Sequence, residues 1–146
     1  MSDAAAAVRR LLGRTEYLAA FDAADRALED HPDEPVLQHL ALLALARAGA
    51  TDTASARLHR SGLLDRADTL PVALAEDVLA LDARIAKDRA LAAPFHARSE
   101  LARVAAQLYQ GVFERFSRTY TGVNAATMWC VAGETARPRR PRTTSS

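Results

Sequence analysis

Proline and glycine divide this chain into segments whose apolar residues recur at helical spacing, and this pattern constrains the fold most. In residues 15–30, apolar side chains recur every three or four positions, with Asp, Glu and Arg on the other side. Pro32 ends this segment, and Pro35 suits the first turn of the next. Gly49 and Gly62 follow two further segments, where helix-ending residues are expected. The pattern predicts amphipathic helices joined by short turns.

The same reasoning predicts six helices along the chain. They cover residues 15–30, 35–48, 51–61, 71–93, 96–117 and 125–132. A turn over residues 119–124 precedes the last of them, and in this turn we expect Gly122 to adopt a left-handed conformation. Asn124 is expected to cap the final helix through its side-chain oxygen.

Composition supports helices and excludes several classes of protein. The chain of 146 residues has 33 Ala and 19 Leu, which favour helix over strand. Its net charge of +1 supplies no long-range field for nucleic acid or a membrane surface, so neither is an expected partner. No apolar run approaches the length of a signal sequence or a membrane span. Together with the single cysteine, these features lead us to expect a soluble, cytoplasmic, all-α protein.

Small residues repeat at a spacing of 34. Ala20 and Ala27 are followed at that distance by Ala54 and Ser61, and Pro32 ends the first unit. This is the period of a tetratricopeptide repeat, in which small residues let two helices approach closely. We therefore expect a tetratricopeptide-like array of antiparallel helical hairpins, an α-solenoid, over residues 1–133. A plain helical bundle is the alternative.

Candidate catalytic residues are scattered. His31, His39 and His59 fall on different predicted segments and are expected at the surface or in turns. Cys130 follows a tryptophan in an apolar segment and is expected to be a small core residue. The sequence has no phosphate-binding glycine motif and no metal-ligand spacing, so we expect neither an enzyme nor a cofactor. Acidic, basic and histidine side chains that meet in one cleft would favour an enzyme instead.

Two segments carry a more specific pattern. The first reads L-D-A-R-I-A-K-D from residue 81, and the second reads Y-T-G-V-N-A-A-T from residue 120. With L-Y at 108–109 and F-E at 113–114, residues 74–134 resemble the TRAFs-binding domain of the apoptosis signal-regulating MAP kinase kinase kinases and its bacterial relatives. The motif residues are Arg84, Ile85, Lys87, Asp88, Tyr120, Gly122, Asn124, Ala125, Ala126 and Thr127. The resemblance implies a helical-repeat region that regulates attached signalling domains, and in bacteria often a cyclase or another effector domain.

The polar residues of the first segment admit two interpretations. Arg84 and Asp88 are one helical turn apart, and Lys87 lies beside them. This cluster could tie its helix to the Tyr120 segment, or it could be a surface that a partner recognises. Both interpretations remain open at the level of sequence.

The end of the chain raises a second alternative. Met128 and Trp129 form an apolar face, and Pro138 prevents another helix from following at once. The face either folds back on the helix at 96–117 or binds something else. Residues 134–146 are rich in Arg and Pro and are expected to be disordered.

These observations favour a non-catalytic protein-interaction or regulatory module, a short or truncated relative of a multidomain signalling protein. Its expected partner is a protein or a partner domain, and homo-oligomers are possible. The alternative is a fragment that self-associates through the Trp129 face without a specific partner.

Overall fold

Most helices of this chain begin or end next to a proline or a glycine. A computed structural model describes residues 2–133, which contain seven α-helices and no strand. The helices are α1 (Asp3–Gly13), α2 (Tyr17–Asp30), α3 (Pro35–Arg47), α4 (Thr51–Ser61), α5 (Val72–Ala92), α6 (Phe95–Phe116) and α7 (Thr119–Val131). A short 3₁₀ turn, Ala67–Thr69, precedes α5. The expectation of an all-α fold is confirmed for this part of the chain.

Local chemistry explains several of these boundaries. The Ser2 hydroxyl accepts a hydrogen bond from the Ala5 amide at the start of α1. Pro35 occupies the first turn of α3, and the Glu34 carboxylate accepts from the Val36 amide at 3.1 Å. Gly62 ends α4 with a φ of 78°, a conformation that glycine adopts without steric cost.

Two differences from the predicted helices are substantial. Residues 3–13 form α1, which was not among the six predicted helices, and bury Ala5, Val8 and Leu12. The expected turn over residues 119–124 is wrong, because α7 begins at Thr119 and runs through this segment.

The chain forms two compact units, Met1–Val78 and Leu79–Ser146. In the first unit, α1, α2 and α3 share a core that includes Val8, Ala24 and Leu40. The Arg57 guanidinium of α4 pairs with the Asp25 carboxylate of α2 and lies 5.1 Å from the Phe21 ring centroid. Small buried residues therefore bring the helices together, and a cation joins α4 to α2.

The expected position of His39, in the first unit, is wrong. His39 was expected at the surface or in a turn, but it is buried on α3, with 7% of its surface exposed. α3 is apolar on nearly all sides and buries eight residues, so its whole circumference packs against neighbouring segments.

The second unit is built around alanine. Its core brings together α5, α6 and α7 through Ala83, Ala90, Ala102, Ala105, Ala106, Tyr109, Ala125, Met128 and Ala132. Seven of these nine side chains are a single methyl group, so the helices pack closely.

No helix within residues 2–133 is both long and apolar enough to cross a membrane. The predicted disorder of residues 134–146 lies outside the described residues. The predicted boundary between a repeat domain at 1–133 and a tail stays a prediction.

Candidate interaction surface

The residues singled out from the sequence meet in the second unit, where α7 packs against α5 and α6. The inner side of α7 buries Thr121, Ala125 and Met128, which recur at helical spacing. Ala125 has 6% of its surface exposed, so this member of the motif is a packing residue. The other sides of the helix carry the remaining motif residues.

Lys87 connects α5 to α7. Its ammonium Nζ donates a hydrogen bond to Asn124 Oδ1 at 3.1 Å and lies 5.9 Å from the Tyr109 ring centroid. Asn124 Nδ2 in turn donates to the Tyr120 carbonyl oxygen at 2.9 Å. Asn124 is therefore not the helix cap that was expected, since it lies within α7 and holds α5 and α7 together. Of the three cluster residues on α5, Lys87 therefore contacts the second segment.

The rest of the first segment divides between surface and core. Arg84 Nε lies 3.8 Å from Asp88 Oδ2, and about a third of each side chain is exposed. Ile85 is buried, with 2% of its surface exposed. Arg84 and Asp88 thus remain accessible in part, whereas Ile85 serves the core.

Tyr109 lies beneath this cluster on α6. Its ring packs edge-on against that of Tyr120, with centroids 6.5 Å apart and planes at 82°. Its buried hydroxyl has no hydrogen-bond partner of good geometry among the described residues. Burial raises the pKa of Tyr109, and the neighbouring Tyr120 phenol raises it further. Tyr109 is therefore a neutral core residue at physiological pH.

The expected left-handed conformation of Gly122 is wrong. Gly122 lies inside α7 and does not adopt the left-handed conformation. Its role is steric, because a Cβ atom at this position would lie 2.9 Å from Cδ1 and Cε1 of Phe113. The absent side chain lets the Phe113 ring of α6 lie directly on the α7 backbone.

Met128 and Trp129 do not form an open apolar face. Met128 has no exposed surface and belongs to the core. Trp129 is half-buried against this core, and its Nε1 donates to Gln110 Oε1 on α6 at 2.8 Å. The face has folded back on α6, which was one of the two alternatives considered.

The side of α7 that faces away from this core is open instead. Tyr120 and Val123 are 58% and 59% exposed, and Ala126, Thr127 and Cys130 are exposed as well. We call these five residues the α7 stripe. The expectation that Cys130 lies in a core is therefore wrong. Sequence reasoning missed Val123 and Cys130 as surface residues, because apolar side chains lie around most of α7 and their spacing does not distinguish the buried side.

The stripe is uncharged. Residues 119–131 contain no Asp, Glu, Lys or Arg. An exposed stripe with large apolar side chains and no charge is a feature of recognition surfaces.

Two open cavities lie in the first unit. One is lined by His31, Asp33 and Glu34, but the Glu34 carboxylate is occupied by the Val36 amide. The other, of about 260 Å³, is lined by Arg57 and Arg60 over Leu42. Within residues 2–133, no three His, Cys, Asp or Glu side chains lie close enough together to hold a metal ion.

Comparison with known proteins identifies the repeat. A search of the curated proteins and one of the solved structures found no match to this chain. The family model described as Tetratricopeptide Repeats-Sensor matches residues 16–129, which span α2 to all but the last two residues of α7. The match confirms the predicted tetratricopeptide-like fold, and repeats of this type commonly mediate protein–protein interaction. The chain belongs to the Tetratricopeptide Repeats-Sensor family.

Proposed function

We propose that this chain is a regulatory protein-interaction module and that the α7 stripe is its principal contact surface. The family supports the general role, because repeats of this type are generally non-catalytic interaction modules. The observation that carries the choice of surface is the exposure of Tyr120 and Val123 on a helix without charges. Covering such a surface with apolar groups of a partner removes its apolar area from water, which is favourable.

The resemblance to the TRAFs-binding domain belongs to this proposal. Its two segments, from residue 81 and from residue 120, are joined by the hydrogen bond between Lys87 and Asn124. We infer that this contact holds α7 in place so that the stripe is presented. By this resemblance the chain would be a relative of multidomain signalling proteins and would regulate a signalling domain.

A capture experiment from the native host's extract tests the proposal. The bait is the full chain, compared with Val123→Glu, which places a charge in the stripe. Leu18→Glu is the matched control, because Leu18 is 67% exposed on α2, far along the chain from the stripe. Circular dichroism verifies that all three are folded.

We expect a partner that the wild type and Leu18→Glu retain and that Val123→Glu loses. Equal recovery with all three baits would contradict the α7 stripe as the contact surface. Arg84→Glu tests the other interpretation of the motif, since Arg84 is partly exposed beside Asp88. If Arg84→Glu alone loses the partner, the contact lies on α5.

Self-association without a specific partner was the alternative function. The Met128 and Trp129 face assigned to it is occupied by α6, so self-association requires another surface.

A further inference from the structure

The α7 stripe has the spacing of a helix–helix seam. Tyr120, Val123, Thr127 and Cys130 follow one another at intervals of three, four and three, which is the a/d spacing of a coiled coil. The buried residues Thr121, Ala125 and Met128 lie about half a turn away around the same helix. α7 is therefore packed on one side and carries an open seam on the other.

This seam is complementary to itself when two copies run antiparallel. A two-fold axis that crosses the seam at the level of residue 125 places Tyr120 opposite Cys130 of the second copy, and Val123 opposite Thr127. The large ring thus faces the smallest side chain of the seam, and valine faces its near-isostere. A parallel pair would instead stack Tyr120 on Tyr120 and leave Cys130 opposite Cys130.

The polar chemistry of the stripe allows two copies to pair. Since α7 has no charged residue, two copies bring no like charges together. The Thr127 hydroxyl already donates to the Val123 carbonyl oxygen at 3.0 Å, so covering it leaves no donor unpaired. Ala126 beside the seam is small enough to let the two backbones approach.

We propose that the α7 stripe binds the α7 stripe of a second copy of this chain, as an antiparallel pair whose two-fold axis crosses the stripe at the level of residue 125 along the helix. This inference rests on the proposed function, because it names the occupant of the same surface. Four layers on one short helix make a small interface, so the dimer forms reversibly and depends on concentration.

Sedimentation equilibrium of the purified full chain is the first measurement. We expect the mean mass to rise with concentration from the 15.8 kDa of one chain toward twice that value. Val123→Glu should remain at the single-chain mass over the same range, and Leu18→Glu should behave as the wild type. A wild type that stays at the single-chain mass throughout would overturn the proposal and leave a different partner for the stripe.

A disulfide test fixes the register. In Tyr120→Cys, position 120 faces Cys130 of the second copy, and oxidised glutathione should link them into a covalent dimer joined at 120 and 130. The link cannot form within one chain, because ten helical residues span about 15 Å and a disulfide bridges Cα atoms at most about 7 Å apart. Val104→Cys, an exposed α6 position, is the control for random collision.

Peptide mapping of the oxidised dimer decides the outcome. A dominant link between positions 120 and 130 supports the antiparallel pair. Equal trapping by Val104→Cys, or a wild type that links through Cys130 alone, contradicts this register. If Val123→Glu loses a captured partner while the wild type stays monomeric, the proposed function stands and the second copy is wrong.

Discussion

At the scale of single residues, the close approach of the Phe113 ring to Gly122 constrains what this position can hold. A Cβ atom at Gly122 would meet two ring atoms of Phe113 at 2.9 Å. We predict that Gly122→Val lowers the free energy of unfolding by about 1–3 kcal/mol, because the added methyl groups displace the ring. Urea denaturation measures this change.

The control is a second substitution that removes the ring. Phe113→Ala should recover most of the loss in the Gly122→Val background, because the obstacle is gone. If the double variant loses the sum of the two single effects, the steric account of Gly122 is wrong.

The hydrogen bond between Lys87 and Asn124 makes a second prediction. In a double-mutant cycle, Lys87→Met and Asn124→Ala should show a coupling of about 0.5–1.5 kcal/mol in the free energy of unfolding. The comparison pair is Lys87→Met with Thr127→Ala, since Thr127 bonds within α7 on the outer side. Coupling as large in the comparison pair would show that Lys87 acts through general destabilisation.

Residue positions on α7 were the least predictable from sequence. Tyr120, Val123, Met128 and Trp129 place apolar groups around most of this helix, so periodicity does not decide which side is buried. The choice is made by α5 and α6, whose alanine-rich sides accept Ala125 and Met128. For the same reason Cys130 was expected inside and lies at the surface.

At the scale of elements, α3 carries a buried titratable group. Burial lowers the pKa of His39; Asp77 opposes this effect, and Arg9 and Arg47 add to it. The unfolded chain therefore binds the proton first as the pH falls below about 6.5. The stability that neutral His39 contributes is present above this pH and is lost as the pH falls toward the lower folded-state value.

Urea unfolding at several pH values checks this expectation. We predict that the free energy of unfolding falls between about pH 7 and pH 5, and that His39→Gln reduces this slope. His96→Gln is the control, because His96 is exposed. An unchanged slope in His39→Gln would remove His39 as its source.

At the start of α7, packing outweighs the local preference of the residues for a turn. Gly122 and Asn124 favour turns, yet the burial of Thr121 and Ala125 draws the whole segment into the helix. We predict that amides 123–126 exchange with deuterium as slowly as amides 127–131. Exchange at the rate of a free turn over 123–126 would contradict the early start of α7.

Other element boundaries were predictable because the signal was local. Pro35 and Gly62 each act through their own backbone, and α3 begins and α4 ends where these residues stand. α1 was missed although Ala5, Val8 and Leu12 have helical spacing.

At the scale of the whole molecule, spacing and period were enough to predict the repeat class but not the contacts that build the surface. Lys87 and Asn124 are far apart in sequence, and no local rule pairs them. The resemblance identified their two segments as motifs, but it did not predict the hydrogen bond between them. The exposed stripe follows from the placement of α7 against α5 and α6, which only the tertiary structure provides.

Cys130 offers the most direct test of the central claim that the α7 stripe is a contact surface. It lies within the stripe and is the only cysteine in the chain, so its alkylation rate by a maleimide reports on this surface alone. The rate is measured for the wild type and Val123→Glu, dilute in buffer, at high concentration and in host extract. We predict that in at least one of the two crowded conditions the wild-type rate is several-fold below the Val123→Glu rate measured in that same condition, whereas the two rates agree in dilute buffer. Equal rates for the two proteins under all three conditions would contradict the account.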